Sequence, residues 1–189
     1  KDAIVIQRTD AGMEYFINAG ETDQLGIEAQ LAWAPVWQRS PVDLKLWTSY
    51  NLSNFLFEDY IAPDGATDYS GNELTGVPQN IFVAGLDVTS DRGIYLNTTY
   101  TYTDKIPLND INSAYADASH LLTAKLGYQL AMKDVSLNFF AGVDNVLDEH
   151  YSLGHDLNAP GNRYYNPAPA RNYFGGIRAS ILLANDQKR

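Results

Sequence analysis

The chain has 189 residues, 23 acidic against 13 basic, a formal net charge of −10 and no cysteine. That balance excludes a nucleic-acid partner, because nothing here would neutralise a run of phosphates, and the missing cysteines exclude disulfides and thiolate metal sites. No apolar run approaches the length of a membrane-crossing helix, while 12% aromatics, 13 tyrosines and 14 glycines favour many strands joined by polar turns. The chain opens on Lys1 without a charged-then-apolar leader, and the expectation is a piece of a longer protein rather than a processed one.

Period-two alternation and turn residues predict about eight strands. In chain order they are Ala3 to Gln7, Gln24 to Trp33, Val42 to Leu52, Gln79 to Val88, Gly93 to Tyr102, His120 to Leu130, Val135 to Val143 and Asn172 to Leu183. The first and fourth are the least regular, since Ile4-Val5-Ile6 and Ile81-Phe82-Val83 do not alternate. The seventh is the clearest: Val135, Leu137, Phe139, Ala141 and Val143 share one face against Ser136, Asn138, Gly142 and Asp144, with Phe140 the exception. Most of these segments are near the roughly 9–11 residues that a tilted strand needs to cross a bilayer.

The connections fall into two alternating classes. Ser90 to Gly93 and Ala131 to Asp134 are tight turns and Ala34 to Pro41 is modest, whereas Arg8 to Asp23, Asn54 to Pro78, Thr103 to Ser119 and Asn145 to Arg171 are long polar excursions. Short turns on one rim and long loops on the other describe an outer-membrane barrel wall. With strand directions fixed that way, Tyr50, Tyr100, Tyr102 and Tyr173 gather at the long-loop end of the apolar face, and Trp33 and Tyr128 at the short-turn end. Those are the two aromatic girdles of a membrane strand set. Between them Leu25, Ile27, Leu31, Leu44, Leu46, Ile94, Leu96, Leu122, Ala124, Leu126, Leu137 and Ile181 form a band for outer-membrane lipid. The opposite face, with Glu28, Lys45, Asn97, Lys125, Asn138 and Arg178, suits a water-filled or plug-filled lumen. The alternatives are a soluble sandwich whose core is the apolar face, and a barrel of eight strands closed on itself.

Several segments then carry a family resemblance. Asn18-Ala19-Gly20-Glu21-Thr22 with Leu25-Gly26-Ile27-Glu28, Leu74-Thr75-Gly76-Val77-Pro78, Ala141-Gly142-Val143-Asp144-Asn145-Val146-Leu147-Asp148-Glu149-His150-Tyr151, and Pro167-Ala168-Pro169-Ala170-Arg171-Asn172-Tyr173 with Gly175-Gly176 all contribute. Together they resemble the C-terminal part of a TonB-dependent outer-membrane receptor. The resemblance implies an all-β, antiparallel transmembrane β-barrel wall, the C-terminal part of a barrel of roughly twenty-two strands, with residues 1–189 as one barrel segment and no plug domain present. It implies that the partners are outer-membrane lipid, the remaining strands, the N-terminal plug, TonB only through that plug, and a small-molecule ligand such as a ferric siderophore, haem or cobalamin. No cofactor is expected. The run Ile181-Leu182-Leu183 followed by Ala184 to Arg189 departs from the aromatic ending usual in the family.

On that resemblance the long loops face outside. Their candidate ligand contacts are Tyr60 from Asn54 to Pro78, and His155, Asp156, Arg163, Tyr164 and Tyr165 from Glu149 to Arg171. These residues supply stacking faces, hydrogen bonds and one guanidinium. His150 and His155 would also suit an axial haem pair or metal ligands, and His120 a place at the membrane interface. Ser119-His120 and Ser152 near His155 are the only Ser/His neighbours and have no supporting motif, so no catalysis is expected.

Overall fold

The computed structural model describes residues 4–9, 11, 13–18, 20–62 and 65–182. The strands described are β1 Ile4–Arg8, β2 Glu14–Asn18, β3 Glu21–Trp33, β4 Val42–Asp59, β5 Asn80–Ser90, β6 Ile94–Thr103, β7 Ile106–Pro107, β8 Tyr115–Ala116, β9 Ser119–Ala131, β10 Val135–Asp144, β11 Ser152–His155, β12 Tyr165–Pro167 and β13 Asn172–Ile181. Seven of them form one antiparallel sheet in the order β13-β10-β9-β6-β5-β4-β3, and β3 and β13 do not pair with each other. The sheet is an open wall, which overturns the self-closing alternative.

The expected first strand is not part of this wall. β1 pairs instead with β2, from Ile4 opposite Asn18 to Arg8 opposite Glu14. A neighbour a few residues away needs little loop closure, and β2 occupies what the sequence reads as a polar excursion. Ala3, at the start of the expected strand, and Leu183 and the tail to Arg189 lie outside the described residues. The third expected strand runs on past Leu52 to Asp59, because β3 begins at Glu21 and offers pairing partners up to that point.

The register aligns the two faces across the whole sheet. Trp33 lies opposite Leu46, Leu46 opposite Leu86, Leu86 opposite Thr98, Thr98 opposite Ala124, Ala124 opposite Val143 and Val143 opposite Tyr173. Nearer the long-loop rim, Tyr50, Phe82, Tyr102 and His120 are successive partners. Toward the short-turn rim, Ile94, Tyr128, Phe139 and Ile177 are another such row. Phe82 therefore belongs to the apolar face, and Ile81 and Val83 point inward, which accounts for the unclear alternation there. Leu25, Ile27, Leu31, Trp33, Ile94, Leu126, Ile177 and Ile181 all stand exposed, with no second sheet over them among the described residues. A sandwich would bury that face, so the soluble alternative fails as well.

The inner face is built differently. Lys45, Asp87, Asn97, Lys125 and Gly142 form one cross-strand row. Four inward glycines lie opposite aromatics: Gly85 opposite Trp47, Gly127 opposite Tyr95, Gly142 opposite Phe174 and Gly176 opposite Phe140. A Cβ placed on any of the four would overlap its partner's ring. Each ring lies across the bare backbone of the next strand and covers it where no side chain can. Phe140, the exception to its strand's alternation, is one of these covers. Around them the Trp47 indole donates to Asp87 at 3.2 Å, Asn97 donates to Asp87 at 2.7 Å, and the Lys125 ammonium sits 4.8 Å from the Phe140 ring centroid.

Neither face of the wall supplies a conventional core. The buried apolar residues collect at the long-loop rim in two clusters. Leu108, Ala116, Ala159 and Tyr164 pack with Ile106, Ala114 and Leu157, and Phe57 and Tyr60 pack with Ile17, Tyr69 and Leu74. Burying one such side chain contributes about 1.5–3 kcal/mol, so the long loops form a packed layer above the wall.

Candidate functional site

Two polar clasps hold that layer. In the first, Asp110 is 3% exposed and accepts hydrogen bonds on one carboxylate oxygen from Gln7 at 2.7 Å and the Tyr60 hydroxyl at 3.0 Å. The other oxygen accepts from Thr75 and from Asn158 Nδ2 at 3.1 Å. Asn158 Oδ1 also takes the Asp110 amide at 3.0 Å, and Asn72 donates to the Asp110 carbonyl at 2.7 Å. A buried carboxylate is tolerated when its lone pairs are satisfied, and here the donors come from four separate stretches of chain. Burial, and then the neighbouring Asp110 charge, push the Tyr60 hydroxyl well above its usual range, so it remains a donor.

The second clasp closes the neck of the last loop. Asn145 is buried with φ 54°, accepts the Glu149 amide and donates to the Glu149 carbonyl, both at 2.9 Å. The Asp148 carboxylate accepts the amide of Arg171, 23 positions on, at 3.0 Å, and the Arg171 guanidinium reaches the Val146 carbonyl at 3.0 Å. Both ends of the loop are thereby pinned to the top of the wall. Pro167 is paired with Ser152 in the short β11–β12 ladder.

Between these clasps lies a groove of about 500 Å³. Thr103, Asp104, Ser119 and Leu121 line one side, and Glu149, His150, Tyr151, His155 and Tyr165 the other. Leu121 lies opposite Thr101 and Ser119 opposite Thr103, two and four positions along the strand from the Thr99–Thr123 pair of the inner face. The groove therefore opens over the inner side of the wall, at its long-loop rim. Asp104 accepts from Asn80 at 2.7 Å and from the Lys105 amide at 2.9 Å, and the Asn80 bond above all holds its carboxyl below the usual range. His155 packs edge-on to Tyr165 with ring centroids 5.7 Å apart, and burial lowers its pKa below 6.5. A neutral imidazole beside an exposed phenol ring can accept one hydrogen bond and offer one stacking face.

The expected ligand contacts thus separate into groups. His155 and Tyr165 meet in the groove. Tyr60, 1% exposed, and Tyr164, 6% exposed, are core residues instead. The Tyr60 hydroxyl is directed onto Asp110, and the Tyr164 hydroxyl donates to Asn162 at 3.2 Å, so in this conformation a ligand meets neither. Asp156 joins the loop layer through its amide, which donates to the Tyr164 carbonyl at 2.9 Å. Arg163 is exposed, with Nε donating to the Pro160 carbonyl at 3.4 Å. A separate hollow of about 440 Å³ between Leu31, Leu46, Thr48, Ala84 and Tyr100 lies on the apolar outer face.

Residues 1–146 match the family described as TonB dependent receptor-like, beta-barrel. The chain belongs to the TonB-dependent receptors. Two solved structures of Acinetobacter baumannii proteins share its fold. The siderophore receptor PiuA matches with TM-score 0.62 at 18% identity, over 92% of this chain and 23% of that one. BauA, the ferric preacinetobactin receptor, matches with TM-score 0.69 at 16% identity, over 95% of this chain and 25% of that one. The chain spans about a quarter of the length of these receptors.

As part of a TonB-dependent receptor barrel, the wall stands in the bacterial outer membrane, its apolar band against lipid. The family is one of transporters, not enzymes. In this receptor segment His120 Nδ1 meets the Tyr100 hydroxyl at 2.7 Å on the lipid-facing side, at the interface position expected of it. The Ser152 hydroxyl is directed at the backbone carbonyls of Gly154 and Asn166. Asp110 is hardly marked in the sequence. Its one local signal is Asn109-Asp110 in a turn-forming stretch, and the donors that define its role are distant in the chain.

Proposed function

We propose that this chain supplies the C-terminal sector of the wall and ligand vestibule of a receptor that takes up a scarce nutrient, a ferric siderophore before haem or cobalamin. The observation that carries this reading is the position of the groove. It lies on the inner side of the wall, under the long loops, where a ligand held from outside has the lumen beneath it. His155 and Tyr165 are its contact residues, with His150 and Tyr151 beside them. The siderophore preference draws on PiuA and BauA, each described as a receptor for such compounds. The sector's own role is passive: energy would reach the ligand through TonB and a plug, while Glu28, Lys45, Lys125 and Arg178 line the lumen toward that plug or water.

The test is binding and iron-dependent growth with the intact receptor against a panel of ferric siderophores, haem and cobalamin. His155→Ala and Tyr165→Ala are each expected to weaken binding of the cognate chelate roughly 5- to 30-fold, the range for an aromatic contact in a ligand site. Unchanged affinity in both variants would remove the groove from the function.

A further inference from the structure

We infer that this groove favours iron chelates that are uncharged or cationic over polyanionic ones. The inference rests on the vestibule reading above and concerns which ligands that site takes. Three carboxylates line the groove, Asp104, Asp117 and Glu149, and no Lys or Arg among the described residues does.

The nearby cations do not line the groove, and Lys105, the one that acts on Asp104, is the smallest of the influences on it. Lys105 pairs with Glu73 at 3.6 Å and lies 4.3 Å from the Tyr115 ring centroid. Arg171 is held in the loop neck by Val146 and Asp148. Lys125 is on the inner face four positions down the strand from Leu121, which at a strand's rise is roughly 13 Å. That exceeds a Debye length at physiological salt. His155 adds no positive charge at neutral pH, since burial lowers its pKa below 6.5. A trianionic chelate entering here would meet fixed negative charge over a low-dielectric loop layer, and like charges so placed are mutually destabilising. A chelate bearing a free amine would meet complementary charge. Aromatic faces at Tyr151 and Tyr165 serve either kind equally, so charge is the discriminating property of this wall.

The experiment uses the full-length receptor in outer-membrane vesicles and two probes. One is the ferric complex of a linear trihydroxamate with a free amine, a monocation, and the other the ferric complex of a tris-catecholate, a trianion. Binding is measured in low and high salt, for the unaltered receptor, for Asp117→Asn with Glu149→Gln, and for Tyr165→Ala. The expected result is tighter binding of the monocation and a roughly three- to tenfold loss in the double variant, as for two partly exposed charges. That loss should shrink at high salt, with a gain for the trianion. A chelate of either charge that is weakened by Tyr165→Ala but indifferent to the double variant overturns the charge inference alone. A receptor that binds no chelate of any charge overturns the vestibule reading with it.

Discussion

At Gly127 the wall has no room for a methyl group, because the Tyr95 ring occupies the place of the missing Cβ. Gly127→Ala is therefore expected to cost about 1–3 kcal/mol, the usual range for overpacking, read as a lower urea midpoint of the refolded receptor. Tyr95→Leu in the same background should recover part of it. Gly154→Ala is the control: nothing lies within 4 Å of its added Cβ, and its midpoint should not move. The inward position of these glycines is legible from alternation. Their aromatic covers are not, since a cross-strand partner depends on register, and register only appears once strands are paired. His155 offers a second check at this scale. Burial depresses its native pKa below the unfolded 6.5, so within that window the unfolded chain binds more protons and stability falls as pH drops below about 6.5. The contribution is constant above that pH. Imidazole resonances should titrate with a midpoint under 6.5, and His155→Gln should remove that part of the pH slope; a midpoint above 6.5 would contradict the burial argument.

Among the elements, the loop layer depends on Asp110 more than on any strand. Asp110→Ala would leave Gln7, Tyr60, Thr75 and Asn158 without their shared acceptor. Each buried group left unsatisfied costs about 1–3 kcal/mol. The expected outcome is faster protease cleavage within residues 59–79, 104–118 and 149–171, with the strands still protected; uniform resistance would show that the apolar clusters hold the layer alone. This contrast also explains what the sequence discloses. Most wall strands can be read because each carries its own period-two pattern, with β5 the least regular, and the girdle tyrosines lie at the rims that the loop lengths imply. β2 and the upper part of β4 could not, because Glu14-Tyr15-Phe16-Ile17-Asn18 and Ser53 to Asp59 lack a clean polar face and become strands through β1 and β3. Residue type alone points Tyr60 and Tyr164 toward the ligand site. A loop tyrosine and a core tyrosine look alike until Asp110, Asn109 and Asn162 are brought beside them.

Taken as a whole, the seven-stranded sheet leaves β3 and β13 as unpaired edges among the described residues and has an exposed apolar face. Open edges of this length recruit further strands or aggregate. On a gel with and without heating, the isolated chain in detergent should show no compact, heat-shifted monomer. The shift should appear when the remaining receptor strands and plug are supplied; a heat-shifted monomer of the chain alone would require β3 and β13 to meet.

The packed layer above the wall has one more consequence. Leu108 and Asp110 lie inside it, at 0% and 3% exposure, although they sit midway along a long excursion. What the environment touches is then a mosaic of short pieces from several excursions, held in fixed relation. An antibody raised against a linear peptide covering residues 103–119 is expected to find much of its target hidden in the folded receptor, and one raised against the folded layer to lose its target when the chain is denatured.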